Sequence, residues 1–117
     1  MKELTIEVDN AASGIRIFRL AGPLTLNTLF EFQDLARADA GSAIVIELSE
    51  VSYMDSAGLG AVLGILASCQ RKGRGFGIAG ATDRIKTLFD VAGVNGLLPS
   101  FDSVEVAERH VLNGASA

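Results

Sequence analysis

Cysteine occurs once in the 117 residues, at Cys69, so the chain can form no internal disulfide and no zinc site built on several thiolates. Positive charge is also scarce. Ten Lys and Arg stand against fourteen Asp and Glu, a formal net charge of −4, which argues against a nucleic-acid or anionic-membrane surface. Long apolar runs are missing: the longest uncharged stretch, Ser56 to Gln70, is too short to cross a bilayer, and Met1-Lys2-Glu3-Leu4 lacks the apolar core of a signal peptide. The expectation is a cytoplasmic protein with no direct membrane insertion. With only two prolines and no repeat or low-complexity segment, there is no sign of a linker. A single histidine, His110, has no serine or cysteine at a recognisable motif spacing, and neither a carboxylate dyad nor a nucleophile elbow is present. No enzyme, cofactor or metal reading finds support.

What the chain has is enough apolar material, 49% of its residues, to bury a core in one domain. Leu4, Ile6 and Val8 alternate with polar residues, as do Ile15, Ile17 or Phe18, and Leu20 after the turn-forming Ala12-Ser13-Gly14, predicting a β-hairpin. After Gly22-Pro23, Thr28 and Glu31 have capping-box spacing for a helix with Leu29, Phe32 and Ala36 inward, ended by Ala40-Gly41-Ser42. Ala43 to Leu48 is almost continuously apolar, as in a central strand covered on both faces. Leu59, Val62, Leu63 and Leu66 then recur at helical spacing up to Lys72-Gly73, which places Ser56 at a helix entrance.

Phe76, Ile78 and Ala79 predict a short strand, Thr82 a cap for a helix carrying Ile85, Leu88 and Phe89, and Gly93 its stop. Leu97-Leu98 and Phe101 suggest a last strand. Asp102 and Glu105 have capping-box spacing for a final helix through Val104, Ala107 and Val111. The expected fold is α/β: a single domain at residues 1–112, with a mixed sheet of four to five strands and about four helices packed on it, followed by a frayed tail at 113–117.

The helix after Ser56 carries no charge on any face as far as Gln70, where a solvated face normally carries several. If Leu59, Val62, Leu63 and Leu66 pack on the sheet, Ala57, Ala61, Gly64, Ile65 and Ser68 form a second stripe. Either another protein covers that stripe, or helices of the same domain do; the pattern leaves both open, and self-association into a weak homodimer through it as well. Ser56 likewise has two readings: a helix N-cap, whose removal costs ~1 kcal/mol, or an exposed hydroxyl positioned for modification.

Gly75-Phe76-Gly77-Ile78-Ala79-Gly80 matches the dinucleotide pattern G-x-G-x-x-G, but its glycines fall within a predicted strand rather than in the turn after one. Cys69 reads as a small core residue. Arg71, Lys72 and Arg74 read as a helix C-terminus complementing the dipole, with a salt-dependent contact to an acidic partner as the other use.

Met54-Asp55-Ser56-Ala57-Gly58-Leu59-Gly60, preceded by an apolar strand and followed by an uncharged helix, resembles the signature of STAS-domain anti-sigma factor antagonists. Leu20-Ala21-Gly22 and Ile85-Lys86-Thr87-Leu88-Phe89-Asp90-Val91-Ala92-Gly93 extend the resemblance over nearly the whole chain in order. It implies a STAS fold and a partner-switching cycle. An anti-sigma factor that is itself a serine kinase phosphorylates the serine after the motif aspartate, here Ser56, and a metal-dependent serine phosphatase reverses this. The unmodified antagonist binds the anti-sigma factor and the phosphorylated form is released. The resemblance and the uncharged stripe together give the expected partner-binding residues as Asp55, Ser56, Ala57, Gly58, Leu59, Gly60, Ala61, Gly64, Ile65 and Thr25. Thr25 stands where well-known members carry an acidic residue, and Ala57 where they carry a second serine. The other use of the fold is a non-phosphorylated STAS subunit of a lipid-transport ATPase or signalling assembly, in which Ser56 would only cap.

Overall fold

The computed structural model describes residues 3–11, 13–38, 41 and 43–114. Its elements run β1 (Thr5–Asn10), β2 (Ile15–Leu24), α1 (Leu29–Ala38), β3 (Ala43–Met54), α2 (Ser56–Lys72), β4 (Gly75–Ala79), α3 (Asp83–Val91), β5 (Ser100–Phe101) and α4 (Val104–Gly114). The five strands form one sheet in the order β1-β2-β3-β4-β5, with β1 antiparallel to β2 and the remaining pairs parallel. This is the expected α/β domain. Of the expected turns and ends, Ala12, Ala40, Ser42 and residues 115–117 lie outside the described residues. The last helix continues to Gly114, past the point where a tail was expected to begin.

The helices sort the core into two layers. Leu29, Phe32 and Ala36 of α1, the inner face of α2, and Ile85 and Phe89 of α3 share one cluster with Phe18, Leu20, Ile44, Ile46 and Leu48 of the sheet. Phe18 and Phe32 meet edge to face with centroids 6.0 Å apart, a contact worth roughly 0.5–1.5 kcal/mol beyond burial. Helix α4 lies alone on the opposite face, with Val104, Ala107 and Val111 against Ile15, Ile17, Ala43, Val45 and Ala79. A strand covered on both faces must be apolar on both, which is why Ala43 to Ile46 are all buried.

Gly75 and Gly77 of the Gly75 to Gly80 run serve this packing, while Gly80, with φ of 68°, follows the strand. Gly75 and Gly77 are buried within β4, and a Cβ at Gly75 would lie 3.0 Å from Val111 Cβ. Their lack of side chains admits α4, and they lie within the strand rather than in the turn after it.

Three local expectations are corrected. Strands β2 and β3 run on to Leu24 and Met54, past Leu20 and Leu48. Gly22 and Pro23 do not break β2 because its pairing with β1 stops at Ala21, so proline's missing N–H costs no ladder bond there. The closing strand contains only Ser100 and Phe101. Leu97 and Leu98 turn instead, both donating their N–H to the Val94 carbonyl. The α4 entrance is served by Ser103, whose hydroxyl accepts from the Val106 N–H, rather than by Asp102.

Candidate functional site

Where β2 and β3 outrun β1, their ends pair as Pro23 with Tyr53 and Leu24 with Met54. The loop from Thr25 to Thr28 and the entrance of α2 therefore emerge side by side. Thr28 fastens the loop: its Oγ1 accepts from the Thr25 N–H at 2.9 Å and donates to the Pro23 carbonyl at 2.8 Å. Asp55 then ties loop to helix. Its Oδ1 accepts from the Gly58 N–H at 2.8 Å, its Oδ2 from the Leu26 N–H at 3.2 Å, and its own N–H donates to the Leu24 carbonyl at 3.3 Å.

Asp55, with extended backbone, is thus the N-cap of α2, and Ser56 is the first helical residue. The cap reading of Ser56 is overturned. The reason is geometric: a capping side chain must reach the N–H two or three residues on, and the Asp55 carboxylate already holds that of Gly58. Ser56 is exposed, and its hydroxyl has no hydrogen-bond partner among the described residues.

The expected partner-binding residues separate into two groups. Ser56, Gly60 and Gly64 are exposed along one side of α2, and Asp55, Ala57 and Thr25 are partly accessible. Gly58 and Leu59 are buried, as are Ala61 and Ile65, with 4% and 5% exposed. Placing Ala61 and Ile65 on an uncovered stripe is therefore corrected: they belong to the core, and α1, packed beside α2, supplies the cover. Leu63, assigned to the buried face, is only half-buried. What remains uncovered is a narrower strip of small residues beginning at Ser56.

Three apolar side chains that sequence reasoning missed stand at this end of the molecule. Leu26, Phe30 and Tyr53 are 57%, 58% and 51% exposed. Leu26 is bonded through its backbone to Asp55, and Tyr53 lines a recess of about 510 Å³ together with Asp55, Ser56, Arg84 and Thr87. Their signal was their position beside the motif, since strand alternation gives Tyr53 no obligation to the core.

The far half of α2 borders a second groove, with Ala61 and Ile65 in its floor and Arg37, Arg71, Lys72 and Arg74 among its lining residues. Gly73, with φ of 67°, caps that end of the helix as expected. Cys69 is buried, and His110 packs against Phe101 with ring centroids 4.6 Å apart and planes tilted by 39°. Among the described residues there is no group of three or more His, Cys, Asp or Glu placed to hold a metal ion, and no helix long and apolar enough to cross a membrane.

Comparison with known proteins sets this geometry in a family context. The STAS domain family model matches residues 8–107. The anti-sigma-B factor antagonist of Staphylococcus aureus is 33% identical over 91 residues, covering 75% of this chain and 84% of that protein. The crystal structure of an anti-sigma factor antagonist from Mycobacterium paratuberculosis superposes with a TM-score of 0.76 at 23% identity, covering 94% of this chain and 95% of the other. The phosphorylated form of the Bacillus cell fate determinant SpoIIAA superposes with a TM-score of 0.72 at 17% identity, over 90% and 98%.

Proposed function

From the chain's membership of the STAS domain family, we propose that it is a cytoplasmic anti-sigma factor antagonist whose grip on its partner is controlled by reversible phosphorylation of Ser56. The observation that carries this reading is the division of labour at the entrance of α2. Asp55 does all the capping, and Ser56, in the position of the family's modified serine, presents a hydroxyl with no structural duty.

The surface around it suits a protein partner. Leu26, Tyr53 and Phe30 provide exposed apolar area, and the side chains of that size best suited to anchoring an interface are aromatic. Gly60 and Gly64 let a partner's side chains approach the α2 backbone closely; a Cβ at either would meet nothing of this chain within 4 Å. Docking against these groups would bury Ser56.

A phosphoryl group brings about −1.5 to −2 charge at neutral pH. Buried uncompensated in such an interface, a charge costs on the order of 3–5 kcal/mol, and each 1.4 kcal/mol is about tenfold in affinity, so two to three decades of binding are lost. In the cycle so described, an anti-sigma factor serine kinase is both the partner and the modifying enzyme, and a metal-dependent serine phosphatase resets the chain.

The test is capture of partners from the source organism's lysate with wild type, Ser56→Ala and Ser56→Glu, with mass spectrometry of the partners and of Ser56. The reading requires a kinase-like anti-sigma factor held by wild type and Ser56→Ala but not by Ser56→Glu, with phosphate found on Ser56. Identical partners for all three, with Ser56 never modified, would overturn it.

A further inference from the structure

We infer that Arg84 is the counter-ion for a phosphoryl group on Ser56, so that modification ties the entrance of α2 to the first turn of α3. The inference rests on the phosphorylation of Ser56 argued above and goes beyond it by assigning the group that holds the phosphate.

A helix N-terminus ordinarily welcomes an anion through its unpaired N–H groups and its dipole. At α2 part of that capacity is already used. The Asp55 carboxylate takes the Gly58 N–H, while the Leu59 N–H makes the ordinary first helical bond to the Asp55 carbonyl. A phosphoryl group on the next residue therefore stands beside a carboxylate that has already taken one of the first-turn donors, and a cation from elsewhere offsets that like charge.

One cation is in place. Ser56 and Arg84 line the same recess, which runs between the end of β3 and the first turns of α3. The ionisable groups facing it are Tyr53 from β3, Asp55 at the cap and Arg84 from α3, so among the described residues Arg84 is the only positive charge that lines it. Among the described residues the Arg84 guanidinium has no ion pair or hydrogen bond, and it is exposed, so it can turn towards Ser56 without breaking an existing contact. A guanidinium presents two parallel N–H donors to two phosphoryl oxygens and stays charged at every relevant pH, whereas a lysine offers only a point charge. Thr87, one turn further along α3, adds a hydroxyl to the same wall.

The test installs phosphoserine at position 56 during translation of the full chain, so that no kinase is needed. It then follows the phosphorus NMR shift against pH in chains carrying Arg84, Arg84→Lys and Arg84→Ala. The second phosphate ionisation, near pH 6 in the absence of a partner charge, is expected to lie lower with Arg84 than with Arg84→Ala by roughly half a unit to one unit, with lysine between. Thermal melting should show phosphorylation raising Tm more in the Arg84 chain than in Arg84→Ala, while the two unmodified chains melt alike. Coincident titration curves for Arg84 and Arg84→Ala overturn the inference. Because the phosphate is installed by the experimenter, that failure is distinct from failure of the functional reading, which is decided by whether Ser56 carries phosphate in the source organism.

Discussion

Gly58 lies with its Cα directly against the backbone of Leu24. A Cβ at position 58 would sit 2.9 Å from the Leu24 carbonyl carbon and 3.1 Å from Met54 Cγ, and it would overlap the carbonyl oxygen outright. The end of β2 and the first turn of α2 are thus locked at a separation that only glycine permits. Gly58→Ala is expected to destabilise the domain by about 1–3 kcal/mol through overpacking against rigid backbone, read as a lower urea midpoint. Gly60→Ala and Gly64→Ala face open space and should instead stabilise by about 0.5–1 kcal/mol. If α2 docks a partner, those same two substitutions weaken the complex while strengthening the fold.

The capping assignment makes a second contrast. Asp55→Ala removes the acceptor for both the Gly58 and Leu26 N–H groups and should cost about 1–2 kcal/mol. Ser56→Ala should stay within about 0.5 kcal/mol of wild type. Chemical denaturation of the two variants decides it, and the reverse ranking would return the cap to Ser56.

Thr28→Val keeps the shape of the loop and removes its fastening. The Thr25 N–H and the Pro23 carbonyl each lose their hydroxyl partner, which should cost about 1–2 kcal/mol. Hydrogen exchange should accelerate at the Thr25 and Leu26 amides before it does so in the sheet.

Leu26→Ser and Tyr53→Ser test the exposed apolar groups. Both side chains are more than half exposed, so Tm should barely move. Affinity for the anti-sigma factor should fall, by about 2 kcal/mol or more where Tyr53 is an anchor. Unchanged binding by titration calorimetry would place the interface elsewhere.

The regular elements were readable because their periodicity is strong. Leu29, Phe32 and Ala36 of α1 are all buried, and Thr82 accepts from the Ile85 N–H as a cap should. The site itself was legible as a segment but not in its geometry. Serine and aspartate are both good caps, and only the backbone conformation decides which of two neighbours performs the role. The burial of Ala61 and Ile65 depended on where α1 crosses α2, a tertiary fact with no local trace. Arg84 was invisible for the same reason: a cation on α3, 28 positions after Ser56 in sequence, comes to line the same recess only through the parallel crossover that returns the chain to the same sheet end.

The overhang of β2 and β3 beyond β1 divides the molecule along its strands. The α2 entrance and its loop hang from a two-strand parallel beam, fixed by Gly58, Asp55 and Thr28, while the β1–β2 turn near Ser13 and Gly14 lies at the other end of that beam. Insertions, affinity handles or fluorescent labels placed at that remote turn should leave the α2 entrance untouched, and the opposite end can be redesigned without reopening the sheet.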